Sequence, residues 1–565
     1  MILGKIALFT HTIKYLRFKQ ILYRIWYAVF PINSVLIRTS LNKIPDHIDW
    51  SPIKSFTNFL DYDWWDKDEI TQGRFQFLND ITDFGNSIQW QLSEKSRLWL
   101  YNLQYFQYLF PSEKLNSTVA LGIINNWINQ NPPGAENAWD PYPISLRLVN
   151  WFKYLSTVSV SDKELQPILK STYHQAFWLE HLLEYHLLGN HLFKNAKALA
   201  FSGLFFKGSD ADRWLTNGLR VLNQEIGDQI LQDGGHFERS PMYHTMILED
   251  CLDLLNITHN CHQPAMTASR QKLEAAADRM ISYLVGMSHP DGEIALFNDA
   301  AFGIEHSPED LIQYYERVTG NEVSRPDGKL WSFSETGYYV MTPKTGDRMI
   351  IDCGLVGPDY QPGHCHCDTL SFELSLNGRR VIVDSGCFEY EDGPIRQYNR
   401  GNAGHNTVTI DGENQSEVWG AHRCARRARP VYANLGERED GWLHFDGAHD
   451  GYKRLKGRPI HHRSVRWKGD FILIDDCIEG RGNHDIESRL HIHPDLAVET
   501  NQNSVVLKDN KNQYLSISVA GEGKITVEAG WYCPEFGLKY KCPVIVSRFK
   551  RETLPFKTGW KFVIK

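Results

Sequence analysis

The segment Gly363-His364-Cys365-His366-Cys367-Asp368 is followed by Asp384-Ser385-Gly386 and then by Gly404-His405-Asn406-Thr407. A His-x-His pair joined by a distant Asp and a third His is a ligand set for a divalent metal, zinc above all. His366, Asp384 and His405 would supply three ligands and leave a fourth position open. Read as a β-strand, the first segment puts His364 and His366 on one face and Cys365 and Cys367 on the other. A thiolate site built from Cys365 and Cys367, with Cys353 or Cys387, is therefore a rival that could not share one metal with the imidazoles. His364 is left for proton transfer. The same groups could equally hydrogen-bond within a buried sheet, and spacing alone does not separate the two.

Two other clusters carry chemistry. Gly189-Asn190-His191 places an amide donor beside an imidazole at a helix start, which suits a carboxylate or an oxyanion. The ordinary alternative is a capping Asn and a packed His. In Asp233–His244, Ser240-Pro241 is an N-cap and first-turn signature, and Tyr243 falls in that turn. The helix dipole and nearby Arg239 would favour phenolate there. A free tyrosine titrates near ~10 and needs such help to exchange protons near neutrality. A tyrosine simply packed at a helix start is the competing reading.

The elements that must position these groups fall into two halves. From about 90 to 325 the apolar spacing is helical, with runs at Leu98–Phe106, Ile144–Leu155, Ala176–Leu188, His191–Phe206, Trp214–Ile230, Pro241–Ile257 and Thr267–Met287. These predict paired antiparallel helices, as a solenoid or a closed toroid. After about 330 the period becomes two, with a hairpin signal at Asn377-Gly378, predicting an antiparallel sandwich. The expected divisions are a basic helical extension over 1–80, a helical domain over 81–328 and a β-sandwich over 329–565.

A chain of 565 residues exceeds one ordinary core. Its 17 Trp, 25 Tyr and 28 Phe can pack cores or stack on sugar rings. The net charge of −8 argues against nucleic-acid binding, while Arg423, Arg426, Arg427 and Arg429 leave room for an acidic ligand. No segment has the apolar length of a membrane span. Residues 1–45 hold seven Lys or Arg and no acid, with Ile13, Leu16, Ile21, Leu22, Ile25 and Trp26 near helical spacing. Peripheral membrane contact and a helix docked on the main body are equally compatible with this. Ten irregularly spaced Cys and a short N-terminal apolar run predict reduced thiols and a cytoplasmic location. Self-association is left open.

Taken in order, Trp99–Leu103, Trp139–Pro143 with Arg147 and Trp151, Gly189–His191, Asp233–His244, Gly363–Asp368, Val383–Gly386 and Gly404–Thr407 resemble the heparinase II/III-like polysaccharide lyases, a group that includes related alginate lyases. The likeness runs from about Leu98 to the C-terminus and leaves residues 1–80 outside. It implies an incomplete (α/α) toroid followed by an antiparallel β-sandwich, with the cleft between them. It also implies structural zinc on His366, Asp384 and His405. Asn190 and His191 would face a uronate carboxylate, and Tyr243 and His364 would move protons in a β-elimination. Asn102, Trp139, Arg147, Glu238, Arg239, Trp419 and Arg423 are the expected substrate contacts, and the partner is an acidic polysaccharide or oligosaccharide. A glycoside hydrolase is the enzyme rival, needing a carboxylate pair such as Asp140 with Glu238 or Asp299. A glycan-binding or assembly protein without turnover is the third reading.

Overall fold

The computed structural model describes residues 2–29 and 47–565, except 262, 326–327, 502–503, 510–511 and 522. The helical half runs through Arg97–Tyr105, Ser117–Gln130, Pro141–Leu155, Asp162–His181, Gly189–Phe205, Ser209–Gln229, Pro241–Thr258, Pro264–Met287 and Pro308–Thr319. Its helices form an incomplete (α/α) toroid. Local chemistry sets several of the starts. Ser161 and Glu164 form a capping box, as do Ser307 and Asp310. Ser240 accepts the Tyr243 N–H ahead of Pro241. Close helix packing needs bare backbone at Gly218, where an added Cβ would lie 2.7 Å from the Ala200 nitrogen. The expected run Ala176–Leu188 stops at His181, and Leu188 and Gly189 take φ +66° and +63° before the next helix begins. Residues 47–80 do not stand apart. Ile48, Ile53, Phe75 and Phe77 are buried in the toroid core.

Charged side chains are buried inside this half. Lys153 and Lys197 lie 2.6 and 2.5 Å from Asp253, and Lys194 and Lys197 lie 2.9 and 2.7 Å from Asp250. His306 donates through Nδ1 to Glu249 (2.8 Å) and through Nε2 to the Asp61 carbonyl (3.2 Å). Burial alone would lower its pKa, but the Glu249 carboxylate outweighs it and raises the value to about 9. A raised histidine contributes stability that is complete below the unfolded value near ~6.5 and lost as pH rises through the folded one. The thermal midpoint should therefore fall between those limits, by the equivalent of roughly 2–3 kcal/mol. In His306→Gln, melting curves recorded across the same range should be flatter.

The second half is a β-sandwich. An eight-stranded antiparallel sheet faces a five-stranded sheet and a four-stranded sheet. Phe445, Trp467, Ile474, Trp560 and Phe562 of the first meet Met349, Leu374, Leu490 and Ile545 of the others. The hairpin Phe372–Leu376/Arg379–Ile382 turns at Asn377 and Gly378 with φ +49° and +83°, the two positive angles that a right-twisted hairpin prefers. Val383, Cys387, Tyr532, Phe536, Val544 and Val546 of this half are packed into the helical core. The helical core therefore continues into the β-half, beside the sandwich's own core.

One expectation on the β-half changes. Residues 363–368 are irregular rather than a strand, and Asp384 and His405 lie in irregular segments, the one after the strand Arg379–Ile382 and the other before Val408–Ile410. The backbone N–H groups here bond outside any sheet ladder. His366 N donates to Asn298 Oδ1 (2.9 Å) and Cys367 N to the Arg400 carbonyl (2.9 Å). All ten cysteines are free thiols, and no helix among the described residues is long and apolar enough to cross a membrane.

Candidate active site

Asp299 organises the site. It lies in the loop after Pro264–Met287, and its carboxylate is fully buried. Oδ2 accepts from His364 Nδ1 (3.0 Å) and Arg396 (2.8 Å); Oδ1 accepts from His366 Nε2 (2.9 Å) and again from Arg396. Burial would raise its pKa, but the Arg396 charge and these donors hold it well below the carboxylate range. A carboxylate can only accept, so His364 carries its proton on Nδ1 and directs Nε2 outward. The expectation that His364 and His366 face one way, away from the cysteines, holds for a different reason. One carboxylate gathers both rings, while Cys365 lies against Arg400 (3.6 Å) and Cys367 donates to the Ser416 carbonyl (3.3 Å).

Tyr243, from the first turn of Pro241–Thr258, meets this loop. Its ring lies on the His364 ring at 4.0 Å between centroids, tilted by 33°. Its hydroxyl is 3.1 Å from the Tyr390 hydroxyl. Here the sequence expectation is corrected. Arg239 does not help to ionise the phenol, because its guanidinium donates to the carbonyls of Thr336, Phe237 and Glu335. Burial pushes the Tyr243 pKa well above its ordinary value, so the phenol carries its proton. It is an acid.

Asn190 and His191 open the helix Gly189–Phe205 beside these rings. The Asn190 amide donates to both Glu238 oxygens (3.2 and 3.1 Å), and Glu238 Oε2 stands 3.4 Å from His364 Nε2. Gly189 is required here, since a Cβ would come within 2.3 Å of Glu238 Oε1. His191 Nδ1 bonds Glu184 at 3.0 Å and its ring rests on Tyr142. Burial would lower the His191 pKa, but the Glu184 carboxylate reverses this and raises it. The side chain is 28% exposed, so the imidazole reaches solvent beside Asn190.

His366, Asp384 and His405 converge, each offering a ligand atom within 4.8 Å of the others. His405 Nδ1 is 2.8 Å from Asp384 Oδ2. His366 Nδ1 and His405 Nε2 are buried without a hydrogen-bond partner. Burial lowers His366 to about 3, so its ring is neutral with a lone pair to give. Two orphaned imidazole nitrogens and a carboxylate fit a zinc ion, and Asp299 behind His366 is the outer partner that metal-bound histidines usually have.

The remaining expected contacts divide. Glu238 is in the site. Arg239 is behind it, at the junction of the halves. Trp139 and Arg147 are toroid core: Trp139 donates to the Asn131 carbonyl (3.0 Å), and Arg147 lies on Trp127 and donates to Gln175, Gln104 and Ala138. Asn102 bonds back to the Leu98 carbonyl within its helix. Trp419 donates to Thr12 Oγ1 (3.1 Å) of the N-terminal helix, and exposed Arg423 covers its ring. Sequence reasoning missed Tyr390, Glu184 and His422, whose ring lies 5.2 Å from Tyr390. Tyr390 follows the Asp384-Ser385-Gly386 turn closely, the one signal that could have found it. Asp140 pairs with Arg97 (2.9 Å) and Tyr101 (2.6 Å) on the helical rim.

Both halves of the chain match known proteins. Residues 38–319 match the family model Heparinase II/III N-terminus, and residues 325–561 match Heparinase II/III-like, C-terminal. The likeness thus begins at 38, well before Leu98. A heparin-sulfate lyase of Bacteroides stercoris is 24% identical over 458 residues, covering 76% of this chain and 65% of that enzyme. The aligned stretch is therefore just under two thirds of that relative's length. The heparin-sulfate lyase of Pedobacter heparinus is 23% identical over 515 residues, covering 82% and 73%. The solved structure of the heparinase III–BT4657 gene product superposes with a TM-score of 0.63 at 19% identity, covering 95% of this chain and 89% of its own. With both halves matched in order, the chain belongs to the heparinase II/III-like family.

Proposed function

We propose that this protein is a polysaccharide lyase that cleaves a uronate-containing acidic glycan by β-elimination, with heparin-like chains the first candidates because the curated relatives are heparin-sulfate lyases. The observation that carries the reading is the contact of Tyr243 with His364 at the seam of the two halves. A uronate's C5 proton becomes removable once its carboxylate is neutralised, and His191 together with the Asn190 donors now held by Glu238 are the groups for that. His364 Nε2 takes the C5 proton, and Glu238 at 3.4 Å is placed to receive it in turn. The C5–H electron pair forms the C4=C5 bond, the C4–O4 bond breaks, and the protonated Tyr243 hydroxyl supplies its proton to O4. Zinc on His366, Asp384 and His405 would cross-link the turns that hold these groups.

The hydrolase reading lacks its carboxylate pair, since Asp299 is saturated by His364, His366 and Arg396 and Asp140 by Arg97 and Tyr101. The test is a panel of acidic polysaccharides, heparin, heparan sulfate and alginate among them. The expected result is an unsaturated, ultraviolet-absorbing end without incorporation of solvent oxygen. Cleavage that incorporates solvent oxygen would replace the lyase with a hydrolase, and binding without cleavage would support the glycan-binding reading.

A further inference from the structure

The two N-terminal helices, Ile2–Ile13 and Phe18–Val29, are packed in an unusual sense. Phe18, Ile21, Leu22, Ile25, Trp26 and Val29 follow the i, i+3, i+4, i+7 spacing of one helical face, and all are exposed, Phe18 by 78% and Val29 by 60%. Ile6, Phe9 and Ile13 continue the exposed stripe on the first helix. The opposite, more polar side is the one that docks. Gln20, 1% exposed, donates to the carbonyls of Leu187 (3.3 Å) in the helical half and Tyr360 (3.1 Å) in the β-half. Tyr27 donates to the Leu183 carbonyl (2.7 Å), Tyr23 lies against Tyr185, and Thr12 receives the Trp419 N–H. Among the described residues, the amphipathic pair is therefore fixed to the protein by its polar face and leaves Phe18, Ile21, Leu22, Ile25 and Val29 exposed on its apolar face.

We infer that this face docks on an anionic lipid surface. Residues 2–29 contain Lys5, Lys14, Arg17, Lys19 and Arg24 and no acid, in a chain of net charge −8. Arg17, on Tyr360 and 3.4 Å from Asp228, and Lys19, on Tyr185, face the protein, while Lys5 and Lys14 on the exposed side are the cations left for a partner. A bilayer with acidic headgroups satisfies both properties at once, taking the large apolar side chains into the headgroup boundary and the Lys5 and Lys14 ammonium groups at the phosphates. A second copy would set one acid-free basic segment against another, and a soluble polyanion would leave the apolar stripe in water. The basic residues at 38 and 43 belong to the same sequence expectation but lie outside the described residues. The docked helices join Leu187 and Tyr360, close in sequence to Asn190 and His364, so the lipid surface would lie near one rim of the cleft. This inference does not depend on the catalytic reading.

The experiment sediments the full-length protein with vesicles of phosphatidylcholine alone and of phosphatidylcholine mixed with phosphatidylglycerol. Binding is expected to the anionic vesicles only and to weaken with salt. Phe18→Asp/Ile25→Asp should lower partitioning about tenfold or more, with an unchanged melting temperature. Lys5→Glu/Lys14→Glu, which leaves the apolar face intact, should lose binding as well. Failure to sediment with anionic vesicles, equal binding to neutral ones, or undiminished binding by both variants would overturn the assignment. So would a dimer in analytical ultracentrifugation that Phe18→Asp/Ile25→Asp converts to monomer.

Discussion

Tyr243→Phe should lower the turnover rate by about 10²–10⁴-fold, the usual contribution of a positioned acid or base, while leaving fold and glycan affinity in place. Among the described residues, the phenol hydroxyl makes one hydrogen bond, to Tyr390. Its ring, which supplies the contact with His364, is retained in phenylalanine. The loss should therefore fall on kcat with little change in KM, since the missing proton is needed only in the transition state. Product absorbance under saturating glycan measures the first quantity, and binding of intact polymer to the inactive variant measures the second. Retention of full activity would remove Tyr243 from the reaction. Activity lost together with the melting transition would make it a packing residue.

His366→Ala should empty the proposed metal site and weaken the fold together. The ring is fully buried, is held through Nε2 by Asp299, and has a free Nδ1 beside Asp384 and His405. Alanine leaves one Asp299 oxygen short of a donor and removes one of three ligands. Breaking a buried charged network from one side costs about 3–5 kcal/mol, which corresponds to a fall of several degrees in thermal midpoint. Elemental analysis should find about one zinc per wild-type chain and almost none in the variant. Chelator should lower the midpoint of wild type and leave that of the variant unmoved. Unchanged metal content would refute the ligand set, and unchanged stability with lost metal would confine the ion to another role.

The meeting of Tyr243 with His364 was legible through the family resemblance, because each lies in a compact motif that carries the likeness. Ser240-Pro241 starts the helix that carries the phenol, and the His-x-His spacing survives even though the segment is not a strand. The toroid and the sandwich were legible from the change of apolar period near residue 330. Partners set by tertiary contact were not. Asp299 lies 65 positions from His364 in sequence, and no local pattern separates a saturated buried carboxylate from a surface one. Tyr390 and Glu184 are ordinary residues in irregular segments. Arg147 and Trp139 show the reverse error. Both sit in a segment that matches the family, yet their polar groups are consumed by carbonyls and an amide inside the core.

The anchoring of His364, His366 and Arg396 on Asp299 bears on attempts to dissect the molecule. That aspartate belongs to the chain before residue 325 and its three partners to the chain after it. Neither fragment, expressed alone, would own a complete reaction centre. Each would also bare the greasy seam that Val383, Tyr532 and Val544 now fill. Domain swaps among relatives should therefore fail unless Asp299 and its partners are exchanged as a set.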